Sequence, residues 1–169
     1  MEGRALSYVR YIDRTSAYYR AEGYDKPYQW AEFDEVPFTP LKKPLAESRL
    51  ALVSTSEIAS RAWADQRLPL ERGEVANVYP VATNTPVEEL YSRTHSYDMN
   101  ATTLDDVNSF FPVTRLAELA AAGRIGSLAP TAYGVYTAYS KNKTLGTDAP
   151  EVLRGCSEEG VDIALLVPV

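Results

Sequence analysis

The chain has 169 residues, 45% apolar and 24% charged, with a net charge of −6. That is enough polypeptide for one domain with its own core, and the acidic balance excludes the clustered basic face of a nucleic-acid binder. The single cysteine, Cys156, excludes an internal disulfide framework and a cysteine-based zinc cluster. No apolar run approaches bilayer length. Met1-Glu2-Gly3-Arg4 lacks the apolar core of a signal peptide, so the expectation is a cytoplasmic protein with neither nucleic acid nor membrane as a partner.

Tyrosine is over-used at the N-terminus, with Tyr8, Tyr11, Tyr18, Tyr19 and Tyr24 close together. A tyrosine ring is apolar with a polar tip and suits half-buried faces and interfaces, including those of a homo-oligomer. Residues 8–22 carry tyrosines and Ile12 at helical spacing and predict a helix that stops at Gly23. From 25 to 44, Pro27, Pro37, Pro40 and Pro44 interleave with Tyr28, Trp30 and Phe33, which predicts an extended arm anchored by aromatics. The chain thus divides into a helix and arm, residues 1–46, and an α/β region, residues 47–169, within one domain overall.

Leu50-Ala51-Leu52-Val53-Ser54-Thr55 is a short continuous apolar run, the pattern of a strand buried on both faces. Its hydroxyls lead into an expected helix, Glu57 to Asp65, which they are expected to cap, with contact to a ligand as the alternative. Residues 66–76 are polar and irregular. Val78 to Val81 predicts a short edge strand because Pro80 cannot donate to a ladder. Val87 to Thr94, after Pro86, predicts a strand that delivers His95, the only histidine, and Asp98 to a polar loop. Thr114 is the expected cap of an Ala-rich helix with Leu116 and Leu119 in its apolar stripe, ending at Gly123. Ile125 to Leu128 reads as a connection and Tyr133 to Tyr139 as a strand. Thr147-Asp148-Ala149-Pro150-Glu151 reads as a helix start with a Thr/Asp cap. That helix runs to Gly160, and Val161 to Val167 follows as a second buried strand.

Alternating strands and helices predict an α/β fold, a mostly parallel open sheet with helices on both faces in Rossmann- or flavodoxin-like layering. In such sheets the carboxyl ends of the strands carry the ligand sites. A buried parallel strand is normally followed by a covering crossover helix. The sequence stops at the last strand, which fits a domain that finishes on a strand and equally one whose final βα unit is missing.

Three side chains of this stretch have useful chemistry. His95 can exchange a proton near neutral pH, Asp98 can orient it, and Arg93 can hold a carboxylate bidentately. The same residues also suit a turn, with Asp98 accepting backbone N–H groups. Asp105, Asp106 and Asn108 match no cation-loop spacing, so no metal is expected. There is no Gly-x-Ser-x-Gly elbow, P-loop or dinucleotide fingerprint.

Leu41 to Thr55 resembles the first-strand signature of the selenoprotein B family of glycine/sarcosine/betaine reductases, which also includes a D-proline reductase subunit. His95-Ser96-Tyr97-Asp98 and Asp106 to Leu116 resemble its histidine turn and its Asn-x-x-Phe-Pro helix start. Gly123 to Gly126 and Glu159 to Val169 are similar to two further blocks, and the likeness is strongest to short stand-alone members. The resemblance implies thiol- or selenol-dependent reductive cleavage of a small amino-acid-like substrate, with a thiol reductant or partner reductase subunit. It implies His95, Asp98 and Tyr97 as catalytic groups and Arg93, Ser54, Thr55 and Asn108 as substrate-binding positions, with no bound cofactor or metal. In that family the Cys-x-x-Cys or selenocysteine centre directly follows the last matched strand, so the redox Cys or selenocysteine is expected beyond Val169, after an unread selenocysteine codon or in a chain otherwise cut. The alternative is a non-catalytic binding or assembly module that keeps the fold without the redox centre.

Overall fold

The computed structural model describes residues 11–24, 26, 34–36, 39–62, 77–94, 97, 100, 103–136 and 140–169. The chain forms two compact units, Met1–Phe38 and Thr39–Val169.

In the first unit, α1 spans Tyr11–Ala21 and buries none of its residues. Tyr18 and Tyr24 both meet Tyr19 edge-to-face with ring centroids 5.6 Å apart, so the tyrosines stack on each other. The aromatic anchors expected at 28–33 lie outside the described residues.

The second unit is built on β1 (Arg49–Ser54), β2 (Ile58–Ser60), β3 (Val78–Ala82), β4 (Leu90–Ser92), β5 (Ser127–Leu128), β6 (Thr131–Val135) and β7 (Ile163–Val167). Its helices are α2 (Val113–Ala121) and α3 (Ala149–Glu158). β1 pairs in parallel with β7 along Leu50–Ser54. It also pairs in parallel with β5 at Arg49–Leu50 and with β6 at Val53–Ser54. A strand has only two edges, so β5 and β6 share the edge opposite β7 as two halves of one strand broken at Ala129-Pro130. β3 then runs antiparallel to β6. The order is β3, β6 with β5, β1, β7, a mostly parallel α/β sheet as predicted, with Pro80 on an outer strand.

Alternation along β1 divides the core. Leu50 and Leu52 face Val113 and Leu116 of α2 together with Phe110 and Phe111. Ala51 and Val53 face Tyr133 and Cys156, with Val152 of α3 against them. Helices therefore cover both faces. Among the described residues no helix is long and apolar enough to cross a membrane.

Several boundaries differ from expectation. Residues 58–60 are not helical: Ile58–Ser60 pairs antiparallel with Leu90–Ser92, and helix begins only at Arg61. Gly134 makes room for that strand pair, since a Cβ there would fall 2.2 Å from the Ile58 carbonyl oxygen. The predicted strand from Val87 is a 3-10 turn at Val87–Glu89 that becomes strand only at Leu90, because Pro86 sets the turn. The Ile125–Leu128 connection contains β5, and β6 begins at Thr131 rather than Tyr133.

The helix starts also differ. Thr114 lies inside the first turn of α2, and Asn108 caps it from outside: its Oδ1 accepts from Thr114 N at 3.2 Å and Thr114 Oγ1 at 2.6 Å. Gly123, at φ 66°, ends α2 in the left-handed conformation that glycine adopts without strain. Helical structure already begins at Lys141, capped by Ser140, and passes through a π segment before α3. Asp148 is buried and accepts from Asn77 Nδ2 at 3.1 Å instead of capping α3. The expected burial of the last strand fails as well: Ala164, Leu165 and Leu166 are exposed.

Candidate functional site

The carboxyl end of β1 is held by a chain of hydroxyls. Ser54 Oγ lies 2.8 Å from both the Phe110 carbonyl and Ser56 Oγ. One hydroxyl has one proton, so Ser54 donates to the carbonyl and accepts from Ser56. Ser92 Oγ donates to the Ser56 carbonyl at 2.5 Å, and Thr94 N donates to Ser92 Oγ at 3.2 Å. Ser54 and Ser56 are buried. They bind the end of β1 to β4 and to the loop before α2, which fixes where the loop after β4 leaves the sheet.

Thr55 sits beside this network, half-buried. Its N–H donates to the Val167 carbonyl at 3.1 Å, and its Oγ1 accepts from Val169 N at 2.9 Å. It thereby joins the ends of β1 and β7 at the sheet edge.

Arg93 follows β4 at the same edge. Its backbone N–H donates to the Glu57 carbonyl at 3.2 Å. Its guanidinium carbon stands 5.3 Å from the centre of the Tyr79 ring, in cation–π range. Burial raises the Tyr79 phenol above its ordinary value, Arg93 lowers it and Glu57 raises it further. Arg61 stacks likewise on Tyr91, 5.7 Å from the ring centre.

Glu57 itself is left-handed, at φ 51°. For a residue with a Cβ this costs about 1–2 kcal/mol, and such strain gathers at functional sites. Glu57 and Tyr79 therefore join the edge that the sequence assigned to Arg93, Ser54 and Thr55. Tyr79 was hidden beside Pro80 in a strand read only as an edge. Glu57 was hidden by its resemblance to a helix start.

Tyr97 is half-buried. His95 and Asp98 lie outside the described residues. Asn108 stands two residues before Phe110, so it belongs to the loop that Ser54 anchors, with its carbonyl oxygen committed to α2.

Cys156 is buried on the other side of the sheet. Burial first, and Glu159 second, push its thiol above the ordinary value. Its neighbour Tyr133 is pushed up to about 12, chiefly by burial. A thiol that resists ionisation is a poor nucleophile, so Cys156 serves the core. Among the described residues no group of three or more His, Cys, Asp or Glu is placed to hold a metal.

The geometry provides a cation on an aromatic ring, a carboxylate on a strained turn and a threonine, gathered beside the carboxyl end of β1. It can orient a small polar ligand, and it has no ionised sulfur of its own among the described residues.

No protein-family model matches the chain, and no solved structure matches it. The chain is 31% identical over 130 residues to a protein of Acetoanaerobium sticklandii named D-proline reductase subunit gamma. The similarity takes in 76% of this chain and 52% of that protein, so the chain spans about half the length of the curated relative it matches. It is a distant homologue of a reductase subunit.

Proposed function

We propose that this chain is part of a cytoplasmic oxidoreductase subunit of the selenoprotein B type, which cleaves a small amino-acid-like substrate with a thiol or selenol. The observation that carries the reading is the relationship to a D-proline reductase subunit over most of the chain. The strand-end location of Arg93, Thr55 and the loop after β4 supports it, as does the unreactive setting of Cys156, which leaves the nucleophile to a Cys or selenocysteine beyond Val169.

In this reading Arg93 receives the substrate carboxylate and Thr55 and Asn108 line the site. Ser54 holds the loop that presents them. A thiolate or selenolate attacks the carbon bearing the substrate nitrogen. The carbon–nitrogen bond breaks with its electron pair on nitrogen, which takes a proton from His95, oriented by Asp98 and Tyr97. A second thiol then attacks the sulfur or selenium; the carbon leaves with the electron pair and takes a proton. The protein is left oxidised as a disulfide or selenenyl sulfide, and a thiol reductant or partner subunit returns the two electrons.

Reading the gene past the Val169 codon tests this. A UGA followed in frame by cysteine and helix codons is expected. The product, with that codon recoded to cysteine, should consume D-proline, sarcosine or betaine in the presence of dithiothreitol. A UAA or UAG codon, or a full-length product inert toward all three, overturns the reading. The exposed rings of Tyr11 and Tyr18 favour the second reading, a non-catalytic assembly module. A stable partner recovered with an inert full-length product would select it.

A further inference from the structure

On the α3 side of the sheet lies an open groove of about 710 Å³, lined by Ala149, Val152 and Leu153 of α3 and by Ala164, Leu166 and Pro168 at β7. Leu166 is 70% exposed and Leu153 67% exposed. The two leucines line the same apolar groove, Leu153 from α3 and Leu166 from β7. The far edge of β7 pairs with no strand among the described residues.

Chain topology says what fits there. From β1 to β6 the chain moves outward and carries α2 on the Leu50–Leu52 face. From β6 to β7 it moves back past β1 and carries α3 on the opposite face. Reversal of direction with reversal of face keeps one hand, the right-handed crossover nearly all parallel connections obey. A further step outward from β7 continues in the β6-to-β7 direction. Its helix must then lie on the α3 face, beside α3 and over β7. The groove is in that position, and the free edge of β7 is where the strand after that helix would pair.

We infer that the groove between α3 and β7, with the outer edge of β7, is the docking site of a helix and parallel strand that follow Val169 in the same polypeptide. The relative, of which 52% is matched, has room for such a unit, which needs on the order of a dozen residues or more. The inference rests on the reading above in placing the occupant in the same chain. It adds that the segment bearing the redox residue is packed against Leu153 and Leu166 and that its helix starts beside Thr55 and Val169, at the edge where Arg93 stands.

Hydrogen exchange compared between residues 1–169 and the full-length product, read through the recoded codon, tests it. Amides of 163–167 are expected to exchange at least about tenfold more slowly in the longer chain, and Leu166→Lys in that chain should abolish the difference. Leu166→Lys in residues 1–169 serves as the folding control and should leave circular dichroism unchanged. Unaltered β7 exchange in the longer chain overturns the inference. So does protection of β7 that depends on protein concentration in residues 1–169, which would assign the groove to a second copy. Protection without reductase activity would sink the proposed function and keep the docking site; activity with an unprotected β7 would do the reverse.

Discussion

β1 and β7 are neighbours with similar apolar sequences, Leu-Ala-Leu-Val-Ser against Ile-Ala-Leu-Leu-Val, in register from Leu50↔Ile163 to Ser54↔Val167. Leu52 of β1 is 0% exposed and Leu166 of β7 is 70% exposed. Composition cannot account for that contrast. β1 has a strand on each edge and a helix on each face, whereas β7 has β1 on one edge and α3 only at its flank. An apolar run therefore states how much cover a strand requires, and only its neighbours decide whether the cover is present.

The largest expected effect separates the two strands directly. Leu52→Ala removes a side chain from the closed side of the sheet and should cost about 2–5 kcal/mol. Leu166→Ala, on a side chain mostly in water, should stay within about 0.5 kcal/mol. Urea unfolding of residues 1–169 measures both, and equal losses would dissolve the contrast. In a chain that fills the groove, Leu166→Ala should move toward the Leu52 value.

A smaller effect is expected where the strands end. Ser54→Ala leaves the buried Phe110 carbonyl without its donor and should cost about 1–3 kcal/mol. Thr55→Ser keeps the hydroxyl that accepts from Val169 N and should be nearly silent in unfolding. If Ser54→Ala were equally silent, the hydroxyl chain would not be what fixes the loop after β4.

The same contrast shows what was legible in the sequence. The runs at Leu50 and Ile163 and the stop of α2 at Gly123 are local patterns, and each formed; the stripe of α2 formed in part, since Leu116 is buried and Leu119 is exposed. The α/β layering followed from their alternation. Two of the misses share one cause, a local signal overruled by a distant partner. Residues 57–60 looked like a helix start, but Ile58–Ser60 pairs there with β4, close against the Gly134 backbone. Asp148 looked like a cap, yet Asn77, 71 positions away in sequence, takes its carboxylate. Asn108 looked like a ligand group in a polar loop, and part of its capacity goes to the start of α2. At the candidate site, Arg93 was legible as a cation at a strand end. Glu57 and Tyr79 beside it were not, because only the folded sheet brings their three segments together.

The smallest expected effect concerns the opposite end of the strand pair, where β7 depends most on β1. Asp162 Oδ2 accepts from Arg49 N at 2.8 Å and meets Lys43 Nζ at 2.7 Å, and Asp162 N donates to Arg49 O at 2.9 Å. The Lys43 contact first and the Arg49 N–H second hold the Asp162 carboxyl below its ordinary value of 3.8. A carboxyl with a depressed folded value stabilises fully above its unfolded value, and that contribution is lost as pH falls through the folded one. The link is therefore intact at neutral pH and fails only below 3.8. The side chain is solvent-screened, so the loss should be modest. Asp162→Asn keeps the size, loses the charge and should flatten the acid limb of the urea midpoint between about pH 5 and about pH 2.5. Lys43→Met should flatten it partly, since the Arg49 N–H remains. An acid limb unchanged by both variants would mean that β7 is held to β1 by the ladder alone, and the exposed strand would then owe nothing to its first residues.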